Sequence, residues 1–118
     1  MSKVAAIINN IDEAKNIQNY IDAYLVPLKD LSINYIHTFI LEEIIEIKKL
    51  NKEIFVIINK NIHNNELNNL EKTLKEIEKL NINGIIFYDI ALVNLKQKLN
   101  LKTPLVWNQE HLTTNYGT

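Results

Sequence analysis

The 118-residue chain has no cysteine and no arginine, only two glycines and two prolines, and no long hydrophobic run. Without Cys, these residues cannot build a disulfide framework, a Cys-ligated zinc site, a thiolate-held iron-sulfur cluster or a thiol nucleophile. All 13 basic residues are Lys, so the fork-shaped donor suited to bidentate recognition of phosphate, carboxylate or guanine is missing. A formal charge of -1 likewise argues against a basic nucleic-acid surface, and against RNA being held by this stretch alone. Neither Gly84 nor Gly117 lies in a glycine-rich turn, which excludes a dinucleotide or P-loop cradle. The longest apolar runs, such as residues 54–58, fall far short of the roughly 20 residues a membrane helix needs. The first residues lack a signal-peptide core. A cytoplasmic location with no membrane partner is expected.

What is present is the composition of a folded chain, 47% hydrophobic and 23% charged. Ile, Asn and Lys make up 51 residues, a bias that lowers the information carried by any single Asn or Lys. Short β-branched runs alternate with stretches of helical spacing. Strands are predicted over residues 4–8, 23–26 (stopped by Pro27), 54–58, 84–88 and 105–107. Between them, Ile11, Ala14, Ile17 and Ile21 form one helical stripe, with Asn10 and Glu13 as a capping box. Leu41, Ile44, Ile45 and Leu50 form a second. Leu67, Leu70, Leu74 and Ile77 form a third, with Asn64 and Asn65 as caps. Leu92, Leu95 and Leu99 form a fourth, capped by Asp89. Residues 28–39 follow neither period and read as loop.

The pattern is (βα)4 plus a fifth strand, a single α/β domain over residues 1–118 with parallel strands. Two architectures fit: an open sheet covered on both faces, or the first half of a TIM-type (β/α)8 barrel. Both place ligands beyond the carboxyl ends of the strands, so the residues there are the candidates. They are Pro27 and Lys29, Asn59 with Lys60 to His63, Asp89, and Trp107 followed by Asn108, Gln109, Glu110 and His111. His63 is a candidate general base or proton carrier. Glu110 and His111 are neighbours whose side chains point apart on an extended segment. Trp107 reads as core or as a platform for a planar ligand. A metal site from His37, His63 and His111 would need three distant loops to converge, and none is expected.

Residues 53–117 carry a resemblance. A strand ending in Asn59 leads into a loop with His63 before Glu66. A Gly84-led strand ends in Asp89, and Glu110, Thr114 and Asn115 follow the fifth strand. This order resembles the N-terminal half of the U-32 peptidases, also called collagenase-like peptidases, and Asp22-Ala23 is similar to that family's second strand. Trp107, Glu110 and the Asn-Tyr-Gly ending resemble most closely the branch tied to 5-hydroxyuridine formation in tRNA. Asn108 and Gln109 depart from the family's Ser-Thr. The resemblance implies the parallel (βα)4β half-barrel, ending before the family's C-terminal half and its cysteine cluster. It implies His63, Asp89 and Glu110 as catalytic residues, and Asn59, Trp107, Asn108, Gln109, Thr114 and Asn115 as substrate-binding residues. It also implies a [4Fe-4S] cluster in full-length members but no cofactor in this chain, and tRNA or peptide as the full-length protein's partner. An isolated half-barrel is expected to be inactive and to form homo-oligomers through its interior or sheet edges.

Overall fold

A computed structural model describes residues 4–32, 37–60 and 64–107. The elements run β1 (Ala5–Ile7), α1 (Ile11–Ile17), β2 (Ala23–Pro27), α2 (Leu41–Lys48), β3 (Glu53–Ile58), α3 (Leu67–Leu80), β4 (Gly84–Phe87), α4 (Ala91–Leu99) and β5 (Leu105–Trp107). A single 3-10 turn, Asn64–Glu66, leads into α3.

The five strands pair in chain order, β1-β2-β3-β4-β5, and every pair is parallel. This order decides between the two architectures. A doubly wound sheet reverses its strand order at a switch point to place helices on both faces; an unbroken order winds every helix onto the same face. The packing agrees. Tyr24, Val26, Ile54, Val56, Ile58, Ile85 and Phe87 join the helical residues in one large cluster. The alternate strand residues, Ala5, Ala23, Leu25, Ile57 and Ile86, form a second cluster with no helical member. The fold is an α/β half-barrel with a helix-covered outer face and an inner face made by the strands themselves.

The inner face is lined by small and aliphatic residues, and Ala23, Leu25, Ile57 and Ile86 are at most 7% exposed in the single chain. Registers of Ile7 with Leu25, Leu25 with Phe55, and Phe55 with Gly84 form one inner row. A Cβ at Gly84 would stand 2.9 Å from two ring carbons of Phe55 and 3.3 Å from the Pro104 carbonyl, so any side chain at that point requires the Phe55 ring to shift.

The helix stripes hold, with corrections. In α2 the buried pair is Ile44 and Ile47, while Ile45, expected inward, is 46% exposed. Residues three apart share a face, and Ile45 lies on the flank of that pair. In α1 only Ala14 is fully buried, and its carbonyl accepts the Tyr24 hydroxyl at 2.5 Å. Asn10 caps α1 by accepting the Glu13 amide at 2.7 Å, but the Glu13 carboxylate takes the Asn9 side-chain amide rather than closing the box. The expected Asn64 and Asn65 caps give way to the 3-10 turn, and α3 starts at Glu66 with no side-chain cap. Pro27 does not stop β2 but is its last residue, in register with Ile57. In the segment read as loop, residues 33–36 lie outside the described residues, and Leu28 forms a parallel bridge to Phe39.

The scarcity of glycine is met by asparagine. Asn51, Asn81 and Asn100 sit at φ 63°, 57° and 55°, and each follows the last leucine of a helix segment, at Leu50, Leu80 and Leu99. Left-handed backbone at a helix end favours Gly and tolerates Asn best among the rest. The repeated Leu-Asn pair therefore marks the turn from each of α2, α3 and α4 back into the sheet.

Candidate functional site

The two ends of the sheet are built differently. At the amino ends, side chains stitch neighbouring strands together. The Asp22 carboxylate accepts the Val4 amide at 2.9 Å, and the Asn83 side chain accepts the Ile54 amide at 3.0 Å. Glu78, near the end of α3, accepts from the amides of Lys102 and Thr103 at 2.9 and 3.0 Å and from the Thr103 hydroxyl at 2.5 Å. The Thr103 hydroxyl and then the Lys102 amide hold the Glu78 carboxyl below its ordinary pKa.

The carboxyl ends carry the candidate residues. Asn59 follows β3 and Tyr88 and Asp89 follow β4, and Ile58 pairs with Phe87, so the two exits are adjacent. The Asn59 and Lys60 amides both donate to the Leu31 carbonyl, at 3.1 and 3.2 Å. The turn after β2 is thereby laid across the end of β3. Ser32 locks it, accepting the Leu28 amide at 2.7 Å and donating to the Ile57 carbonyl at 2.5 Å. Asp89 is half-buried, and its carboxylate accepts the Ala91 amide at 2.9 Å, the capping role expected of it at the start of α4. His37 packs edge-on against Phe39, with ring centroids 5.1 Å apart.

The structure thus places Asn59 and Asp89 on neighbouring exits of one rim. His63, Asn108, Gln109, Glu110, Thr114 and Asn115 lie outside the described residues, as does His111. For Trp107 the backbone is described, as the end of β5 beside Phe87. Among the described residues no cluster of His, Asp and Glu is arranged to hold a metal ion.

Sequence reasoning passed over Tyr88. The alternation of β4 was its signal, since Gly84 and Ile86 face inward and Tyr88 is the next residue of that series. It is 43% exposed, and partial burial raises its phenol pKa above the ordinary value. Ser32 was passed over too, inside the segment read as loop.

A sequence model of peptidase family U32 matches residues 9–118. No curated protein matches the chain. Among solved structures, the U32 peptidase Mk0906 aligns with a TM-score of 0.74 at 13% identity, over 92% of this chain and 49% of its own. The chain therefore spans about half the length of that protein, and the likeness is one of fold.

Proposed function

The chain belongs to peptidase family U32, and from that premise we propose that it forms the N-terminal half of a barrel enzyme whose full-length form acts in 5-hydroxylation of the tRNA wobble uridine. The observation that carries the reading is the placement of Asn59 and Asp89 on adjacent strand exits of a one-faced parallel sheet, the end at which barrel enzymes assemble their sites. Tyr88 adds an aromatic surface at that end. The resemblance of Trp107, Glu110 and the Asn115-Tyr116-Gly117 ending to the hydroxylation branch supports the choice of substrate.

In this reading Asn59 and Tyr88 contact the substrate, and His63 and Glu110 move protons. Asp89, which caps α4, supplies the carboxylate of that rim. The [4Fe-4S] cluster that the resemblance implies needs thiolate ligands, and this chain has no cysteine. Its own residues do not fit the cluster, which is assigned to the C-terminal half of the full-length protein. The hydrolytic alternative, a collagenase-like peptidase, gains nothing from Ser32, whose hydroxyl is committed to the Ile57 carbonyl.

The test is the 5-hydroxyuridine content of total tRNA, measured by mass spectrometry after disruption of the reading frame that encodes this chain. Loss of the nucleoside, restored by the intact frame but not by a frame carrying Asn59→Ala, is the expected result. Unchanged nucleoside with lost gelatin degradation would replace the reading by the peptidase one.

A further inference from the structure

Beside the rim, but outside the pair of strand exits described above, lies an open cleft of about 520 Å³. That volume falls within the range of small-molecule sites. One wall is the turn after β2, Lys29 to Leu31, and the other is the first half of α3, with buried Leu70 and exposed Lys72. Lys60, the second residue beyond β3, closes the inner end.

The charges are unevenly matched. Lys60 is paired with Glu66 at 2.5 Å, both side chains being about one-third exposed. Lys29 and Lys72 make no ion pair among the described residues and are exposed, and Asp30 is the remaining anion on the lining. Three cations thus face two anions in a chain whose overall balance is negative. Ammonium groups on flexible stems act as point charges for phosphate oxygens, and need no glycine-lined turn to do so.

We propose that this cleft binds a phosphate group, with Lys29 and Lys72 contacting the anion from opposite walls and Lys60 held between them by Glu66. The Leu31 carbonyl links the cleft to the site, because it accepts the amides of both Lys60 and Asn59. An occupant that orders the Lys29–Leu31 turn therefore also fixes the backbone of Asn59. The proposal stands on the cleft alone and does not depend on the tRNA reading.

The experiment is amide NMR of the 118-residue chain titrated separately with inorganic phosphate and with a short oligouridylate, each against chloride at matched ionic strength. Saturable shifts at residues 29–31, 60 and 69–73 are expected with one or both probes. The Lys29→Ala/Lys72→Ala double variant should weaken them by about tenfold. Both lysines are exposed, so the variant should keep its fold, whereas removing Lys60 would break its ion pair with Glu66. Saturation by inorganic phosphate alone identifies a small phosphorylated ligand. Saturation only by oligouridylate, with a salt slope falling by about 0.7 per lysine removed, identifies a nucleic-acid backbone. No shift beyond the chloride control, or equal shifts in the double variant, overturns the proposal.

Discussion

The two ends of the sheet use the same residue types for opposite purposes. At the amino ends, Asp22, Asn83 and Glu78 spend their side-chain oxygens on backbone amides of the neighbouring strand or connection. At the carboxyl ends, the stitching is done mainly by the backbone, through the Leu31 carbonyl, while Asn59 and Tyr88 stand at the rim and Lys60 lines the open cleft beside it. A parallel half-barrel can divide its labour this way because all strands point in one direction. Loss of a polar side chain should therefore lower stability at the amino end and function at the carboxyl end.

The largest expected effect is at Gly84, the first residue of β4. Gly84→Ala places a methyl group against the Phe55 ring and the Pro104 carbonyl, and should cost about 1–3 kcal/mol, read as a lower urea midpoint with an unchanged slope. A neutral result would mean that the Phe55 ring turns aside freely and that the inner row is loosely packed.

Next is Glu78. Glu78→Ala leaves the buried Thr103 hydroxyl and two amides without their acceptor, and should cost about 1–2 kcal/mol, given a partly exposed site. Because the folded state holds this carboxyl below its ordinary value of 4.5, its contribution is complete above that pH and is lost as pH falls through the depressed folded value. Between pH 7 and pH 3 the wild type should therefore lose more stability than Glu78→Gln. Parallel losses would remove Glu78 from the account of the amino rim.

Much of this division was legible beforehand and some was not. The β-branched runs around Val56 and Ile85 marked the strands, and the leucines of α3 marked its buried stripe. One-faced winding was not legible, because every strand is apolar on both sides and periodicity reports burial rather than strand order. Asn51, Asn81 and Asn100 were hidden by the abundance of asparagine, although their Leu-Asn repeat was in plain sight. The reach of Asp22, Asn83 and Glu78 depends on which strands are neighbours, and no local pattern contains that. Of the candidate site, Asn59 and Asp89 were found from strand ends alone, while Tyr88 needed the alternation of β4 to be carried one residue further.

The oligomeric state tests the open edges. Val4 and Ile7, at and beside edge strand β1, are 52% and 39% exposed, whereas Leu25 and Ile57 of the inner face are nearly closed within one chain. Self-association of residues 1–118 should therefore run through the β1 edge, where Ile7 ends the inner row, rather than through the closed centre of the inner face. Light scattering should show a concentration-dependent dimer that Ile7→Lys reduces to monomer, since a charge on an edge strand opposes pairing. Insensitivity to Ile7→Lys, with a dimer broken instead by Leu25→Asp, would place the contact at the centre of the inner face.

The smallest stability effects, and the sharpest contrast, are expected at the carboxyl rim. Asp89→Ala should cost about 1 kcal/mol by removing the acceptor for the Ala91 amide, and Asp89→Asn should restore most of it, because the side-chain oxygen remains. Tyr88→Ala should change stability by no more than about 0.5 kcal/mol at its exposed position. In the full-length protein the order should invert. If the full-length protein has the proposed tRNA hydroxylation activity and Asp89 serves only as a cap, Asp89→Asn keeps that activity; if its charge orients the rim, the variant folds normally and loses it. Tyr88→Phe, which preserves the ring and removes the hydroxyl, then separates a stacking surface from a proton donor, since only the latter loses function in that variant. Activity in Tyr88→Ala equal to wild type would remove Tyr88 from the site and leave Asn59 as the described rim residue on which substrate contact rests.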